Sequence, residues 1–179
     1  MPEYIGYHGT DNEAAEKIIE QQKFLPSQHL DEWLGKGVYF FNRYDDAEWW
    51  CKSKKHLAKD CYTILKVVLI PEKVVNLFDD FEALGRFKEF CEEVKNQCAK
   101  LPNGRRRANY MSLAIGLFLK KSQERIDMII GGFNENRNFW YNKQETEAVR
   151  KFPIVISPQI QYCVLNSKCI KSITSCQGV

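Results

Sequence analysis

The chain has no apolar run approaching the roughly 20 residues needed to cross a bilayer, so no transmembrane helix and no membrane partner are expected. It also has no Cys-x-x-Cys pair, and its 7 cysteines are scattered and odd in number. They read as free, mostly buried thiols in a reducing compartment, and no metal site is expected. No Gly-x-Gly-x-x-Gly turn opens a helix, which argues against a Rossmann dinucleotide site. Met1-Pro2-Glu3-Tyr4 shows no basic segment ahead of an apolar core, so no signal peptide is expected and the expected location is the cytoplasm. No internal repeat, low-complexity tract or linker interrupts the chain. Residues 1–179 are therefore expected to form one domain around a single core. The charge excess is small, at +3, and does not by itself imply a nucleic-acid partner.

What is present is an ordinary globular composition, 44% hydrophobic and 27% charged. The basic residues gather in two places: Lys52, Lys54, Lys55, His56 and Lys59, and Lys100 with Arg105, Arg106 and Arg107. Solvated surface is the plainer reading of both clusters; a footprint for a phosphate backbone is the sharper one.

Periodicity predicts a strand over Glu3–His8, then a helix to about Gln22 that opens on Thr10-Asp11-Asn12-Glu13 as a capping box. A second strand is expected over Gly35–Phe41 and a second helix from Asp45, whose acidic start suits the positive helix end. Tyr62–Ile70 is β-branched and apolar, and reads as a central strand. An apolar stripe from Leu84 to Leu101 predicts a long helix, Tyr110–Phe118 another, and Ile126–Ile130 a strand ending at Gly131-Gly132. Residues 133–151 are polar around Phe139-Trp140-Tyr141 and read as a functional or mobile loop. Two strands, Ile154–Leu165 (interrupted at Pro158) and Cys169–Ile173, close the domain. Strand-rich ends around helices in the middle make the expected class α+β.

Three short stretches carry chemistry. Gly35-Lys36-Gly37 leads directly into Val38-Tyr39-Phe40-Phe41, so a permissive turn delivers an aromatic residue to a surface that must be approached closely. Tyr7-His8-Gly9-Thr10 sits where a strand gives way to a helix, and Trp50 follows Tyr39 by eleven residues. As a spaced set these resemble the ADP-ribosyltransferase superfamily, in the branch that contains diphtheria toxin and the poly(ADP-ribose) polymerases. The resemblance covers motifs near both ends of the chain and leaves its middle unmatched.

The resemblance implies two small antiparallel sheets forming an NAD cleft with flanking helices, NAD as co-substrate, and no metal. It gives His8 a bond to a ribose hydroxyl and the Gly9 backbone a bond to the carboxamide, with Thr10 and Gly37 beside them. Tyr39 and Trp50 would enclose the nicotinamide ring. The third family motif is a glutamate opening a late strand, and here the matching place reads Gln161-Tyr162-Cys163-Val164. His8, Tyr39 and Gln161 are thus the catalytic candidates, with Glu145 or Glu147 as alternatives from the loop. The chain departs from the family at Trp50, where tyrosine is usual, at Ala47, where relatives have serine, and at the neutral Gln161. Loss of one electrostatic partner typically costs about 2.7–4 kcal/mol of transition-state stabilisation, so single transfer is expected rather than chain elongation. Acceptor contacts are assigned to Gln159, Trp140 and Arg105–Arg107.

The implied activity is mono-ADP-ribosyl transfer to a macromolecule, protein or nucleic acid, as in a toxin or defence effector; a toxin implies an inhibitory partner protein. The alternative, motivated by Gln161 and Ala47, is a catalytically idle NAD- or ADP-ribose-binding module. An RNA 2′-phosphotransferase is disfavoured, because the His-His pair and basic catalytic set expected of it are absent.

Overall fold

The computed structural model describes residues 1–27, 32, 34–99, 110–122, 124–133 and 158–176. Strand β1 (Tyr4–Asp11) leads into helix α1 (Asn12–Gln21), and β2 (Val38–Phe41) into α2 (Tyr44–Trp49). A π-helical turn over Trp50–Lys54 continues α2. Then come β3 (Tyr62–Leu69), β4 (Val74–Asn76), α3 (Phe81–Ala99), α4 (Tyr110–Lys121), β5 (Met128–Phe133), β6 (Gln159–Val164) and β7 (Ile170–Cys176).

Among the described residues the strands form one seven-stranded sheet in the order β4-β5-β6-β2-β1-β3-β7, mixed because β4 and β5 run parallel. This corrects the expectation of two small antiparallel sheets. The α+β class stands, and the sheet has a weak seam where two were expected. β1 pairs with β3 at eight positions but with β2 only at Tyr7↔Phe41. Carrying that last register onward would set His8, Gly9 and Thr10 opposite Phe40, Tyr39 and Val38. Those pairs do not form, so the two central strands part beyond Tyr7.

Alternation along the strands sends side chains to two faces. On one, Phe40, Leu65, Val67, Leu69, Met128 and Val164 pack against Ala15 of α1 and Phe24. On the other, Ile129 and Cys163 meet Phe87 of α3 and Ile115 of α4. Further along that same face Phe41 and Ile64 are covered by Ala47 and Cys51, from α2 and the π turn. Each of the largest buried side chains contributes roughly 1.5–3 kcal/mol through burial. Asp127, just before β5, ties the far strand ends. Its carboxylate accepts from the Glu72 and Lys73 backbone N–H groups at 2.9 and 3.1 Å and from the Asn166 amide at 2.6 Å. Burial pushes its pKa up, but these bonds outweigh that and hold it below the ordinary value.

Three local expectations are corrected. Asp11 and not Thr10 caps α1, accepting from the Ala14 N–H at 2.9 Å, because β1 runs three residues further than its apolar pattern suggests and Thr10 lies in it. β3 is interior but one strand from the edge. β5 continues through Gly131-Gly132 to Phe133: a Cβ on Gly132 would lie 2.4 Å from the Phe78 ring, so the glycine makes room for Phe78 instead of ending the strand.

Candidate functional site

His8, Gly9, Thr10 and Tyr39 lie where β1 and β2 part. His8 bridges the gap: its Nδ1 lies 2.8 Å from the Tyr39 carbonyl oxygen. A carbonyl only accepts, so Nδ1 carries the proton and neutral Nε2 keeps an acceptor lone pair. The ring is wedged edge-on against Phe24 and Phe40, with centroids 5.2 and 5.9 Å away. Burial pushes the His8 pKa below its ordinary 6.5; the bond to Tyr39 opposes this, and the nearby Lys55 charge adds to it.

A folded-state pKa below the unfolded value makes the group stabilising above pH 6.5, and this is lost as pH falls through the folded pKa. The urea midpoint should therefore drop on acidification below pH 6.5 more steeply for the wild type than for His8→Leu. Parallel declines in the two proteins would assign the titration elsewhere.

Gly9 follows His8 on the opposite face. A Cβ there would lie 2.5 Å from Cys51 Sγ and 2.6 Å from the Ala47 carbonyl oxygen. The missing side chain thus lets α2 and the π turn sit directly on β1. Gly37 does the same for β6, where a Cβ would meet Cys163 Sγ at 2.5 Å. Both glycines are explained by packing, and a close ligand approach is not needed to account for them. Burial raises the Cys51 thiol to about 11 and the Cys163 thiol to about 12, which leaves both protonated at neutral pH and unsuited to attack.

Tyr39 anchors the turn before it: its hydroxyl donates to Gly35 O at 2.6 Å and accepts from the Leu34 N–H at 3.0 Å. Gly35 has φ +85°, an angle that favours glycine. Trp50 shares the sheet face with Tyr39 but packs on Phe41, ring centroids 6.0 Å apart. Each predicted aromatic therefore has its own partner, Tyr39 beside Leu34 and Cys163, Trp50 beside Phe41.

Gln161 pairs with Phe41 of β2 and Gly131 of β5, which sets its side chain on that same face between the two clusters. Gln159 lies two residues before it on the same side, 4% exposed, and among the described residues neither its Oε1 nor its Nε2 has a hydrogen-bond partner. A buried amide without partners is a costly arrangement, about 1–3 kcal/mol per group. Thr10 is buried, and its Oγ1 lies 3.4 Å from Lys55 Nζ.

Trp140, Arg105, Arg106, Arg107, Glu145 and Glu147 lie outside the described residues. Three participants were not assigned to the site from the sequence: Phe24, which backs His8; Phe41, which backs Trp50; and Lys55, read only as part of a basic cluster. Phe41 was legible from alternation with Tyr39. Phe24 sits in a loop, and Lys55 depends on π winding, so neither has a local signal. Among the described residues no group of three or more His, Cys, Asp or Glu side chains is placed to hold a metal ion. None of the described helices is long and apolar enough to cross a membrane.

No protein-family model matches the chain, and no solved structure matches it. An uncharacterized protein of Methanocaldococcus jannaschii is similar to it, 28% identical over an alignment of 184 positions that covers 93% of this chain and 84% of that protein. The similarity extends over nearly the whole chain and is not confined to the motif regions.

Proposed function

We propose that this protein is a mono-ADP-ribosyltransferase that takes NAD as co-substrate and modifies a macromolecular acceptor, protein or nucleic acid. One observation carries the reading: Phe41, opposite the last β1 residue paired with β2, also pairs with Gln161 and carries Trp50, while His8 reaches the Tyr39 carbonyl just beyond, so candidates distant in sequence gather where β1 and β2 part. Beyond Tyr7 the β2-side edge of β1 is outside the β1–β2 ladder, so the Gly9 main chain can serve a planar carboxamide as it would a neighbouring strand. Among the described residues His8 bonds through Nδ1 alone, so Nε2 can accept from a ribose hydroxyl. Trp50, partly buried on Phe41, offers a π-face to a cationic nicotinamide.

Transfer cleaves the bond between nicotinamide and its ribose. Nicotinamide leaves neutral with the bonding electron pair, the anomeric carbon becomes oxocarbenium-like, and an acceptor nucleophile closes on it and gives up its proton. The protein's task is to hold ring and ribose still while charge develops. Gln161 assists by hydrogen bonding to a ribose hydroxyl, and the unpartnered Gln159 amide beside it can orient the acceptor.

The neutral Gln161 equally suits an idle NAD- or ADP-ribose-binding module, and turnover separates the two. With NAD labelled separately in nicotinamide and adenylate, the transferase should release nicotinamide and label one of three pools, protein, RNA or DNA. Binding of NAD with no release and no labelled pool would establish the idle module.

A further inference from the structure

The π turn has a consequence for charge as well as for packing. Its i→i+5 bond, Lys55 N–H to Trp50 O at 3.1 Å, brings Trp50 and Lys55 to the same side of one widened turn. Trp50 then lies on Phe41, while the Lys55 ammonium reaches β1 and ends 3.4 Å from Thr10 Oγ1. His56, next in the chain, takes φ +53°, and the Leu57 N–H returns to Cys51 O at 3.0 Å, which closes the turn and holds Lys55 in that position.

The neighbouring lysines are spent differently. Lys52 pairs with Glu48 at 2.9 Å, and Lys54 stands 5.6 Å over the Trp49 ring. Among the described residues no carboxylate forms an ion pair with Lys55. Asp11, an acid whose ionisation Lys55 favours, has its carboxylate on the α1 cap. Thr10 is two residues beyond His8 on the same side of β1, about 7 Å along a strand. A ribose hydroxyl bonded to His8 would thus have its attached 5′-phosphate directed within reach of Lys55, given the short span of a ribose.

We propose that Lys55, with the Thr10 hydroxyl, is the phosphate anchor of this site and takes the pyrophosphate of the dinucleotide. The inference rests on the NAD reading above and adds a residue and a ligand group to it. An ammonium suits a phosphate as a compact point charge with three donors. The same cation has no anion to meet at the nicotinamide end, where the ring of NAD is itself positively charged.

The test compares wild type, Lys55→Gln and Lys52→Gln by calorimetric titration with NAD, ADP-ribose, nicotinamide and a 20-nucleotide RNA. Lys55→Gln should weaken NAD and ADP-ribose by about 10- to 100-fold, the range for a lost bond to a charged group, and leave nicotinamide unchanged. Lys52→Gln should bind all of them as the wild type does. Wild-type affinity of Lys55→Gln for NAD and ADP-ribose would overturn the proposal, as would a loss confined to RNA, which would make Lys55 a nucleic-acid contact. Lys55-dependent binding of NAD without nicotinamide release would uphold the anchor while removing the transferase reading. Absence of any NAD or ADP-ribose binding by the wild type would remove both.

Discussion

Gln161→Ala is expected to bind NAD nearly as the wild type does and to turn it over about 10²–10³-fold more slowly. That pattern marks a contact made chiefly in the transition state. The expectation follows from its position: β6 holds Gln161 between Phe41 and Gly131, on the face that carries Tyr39 and Trp50. An amide there can hold a ribose hydroxyl but cannot offset positive charge. Gln161→Glu is therefore expected to raise NAD hydrolysis above wild type. Transfer to an acceptor need not rise with it, since a carboxylate that stabilises the cation also helps water to compete. Nicotinamide release and acceptor labelling, run in parallel, read the two effects separately. Unchanged rates in Gln161→Ala, with activity lost instead in Glu145→Ala or Glu147→Ala, would move the catalytic group to the segment between β5 and β6.

Gly9→Ala is expected to destabilise the fold by about 3 kcal/mol, at the upper end of the usual cost of overpacking. The added methyl would meet Cys51 Sγ at 2.5 Å and the Ala47 carbonyl oxygen at 2.6 Å. A sulfur on a side chain can shift, but a carbonyl inside α2 cannot without disturbing the helix. Cys51→Ala on its own should cost about 1 kcal/mol or more by opening a cavity. The double variant should regain part of the Gly9→Ala loss, because one of the two collisions is removed, and coupling between touching residues makes the pair non-additive. Urea unfolding of the four proteins reads the cycle. Wild-type stability of Gly9→Ala, with NAD binding lost, would show that ligand approach and not helix packing requires the glycine.

Much of the architecture was legible because its signals are local. Short apolar and β-branched runs marked β1, β2, β3, β5, β6 and β7, and the three-and-four spacing marked α3 and α4. β4 was missed: Val74–Asn76 is too short for a period, and it exists by pairing in parallel with Met128–Ile130. The α1 cap was displaced by one residue because Thr10 and Asp11 are both good caps, and strand pairing out to Tyr62 decided between them.

For the site, residue identity alone fixes which side chains are available. It supplied an imidazole ahead of two small residues, an aromatic after a glycine turn, a tryptophan on a helix end and an amide opening a late strand. Those are choices of chemistry, and chemistry resides in residue type. How they are used follows from the fold. The single β1–β2 pair created the gap that His8 spans, and π winding sent Lys55 rather than a neighbouring lysine to Thr10. Glycines 9 and 37 took packing roles because α2 and β6 press against them. Each of these depends on where two strands cease to pair or on how a turn is wound. Apart from the π turn's own bonds, which span five and six residues, these features arise from contacts between residues more than thirty positions apart, and no local pattern records them.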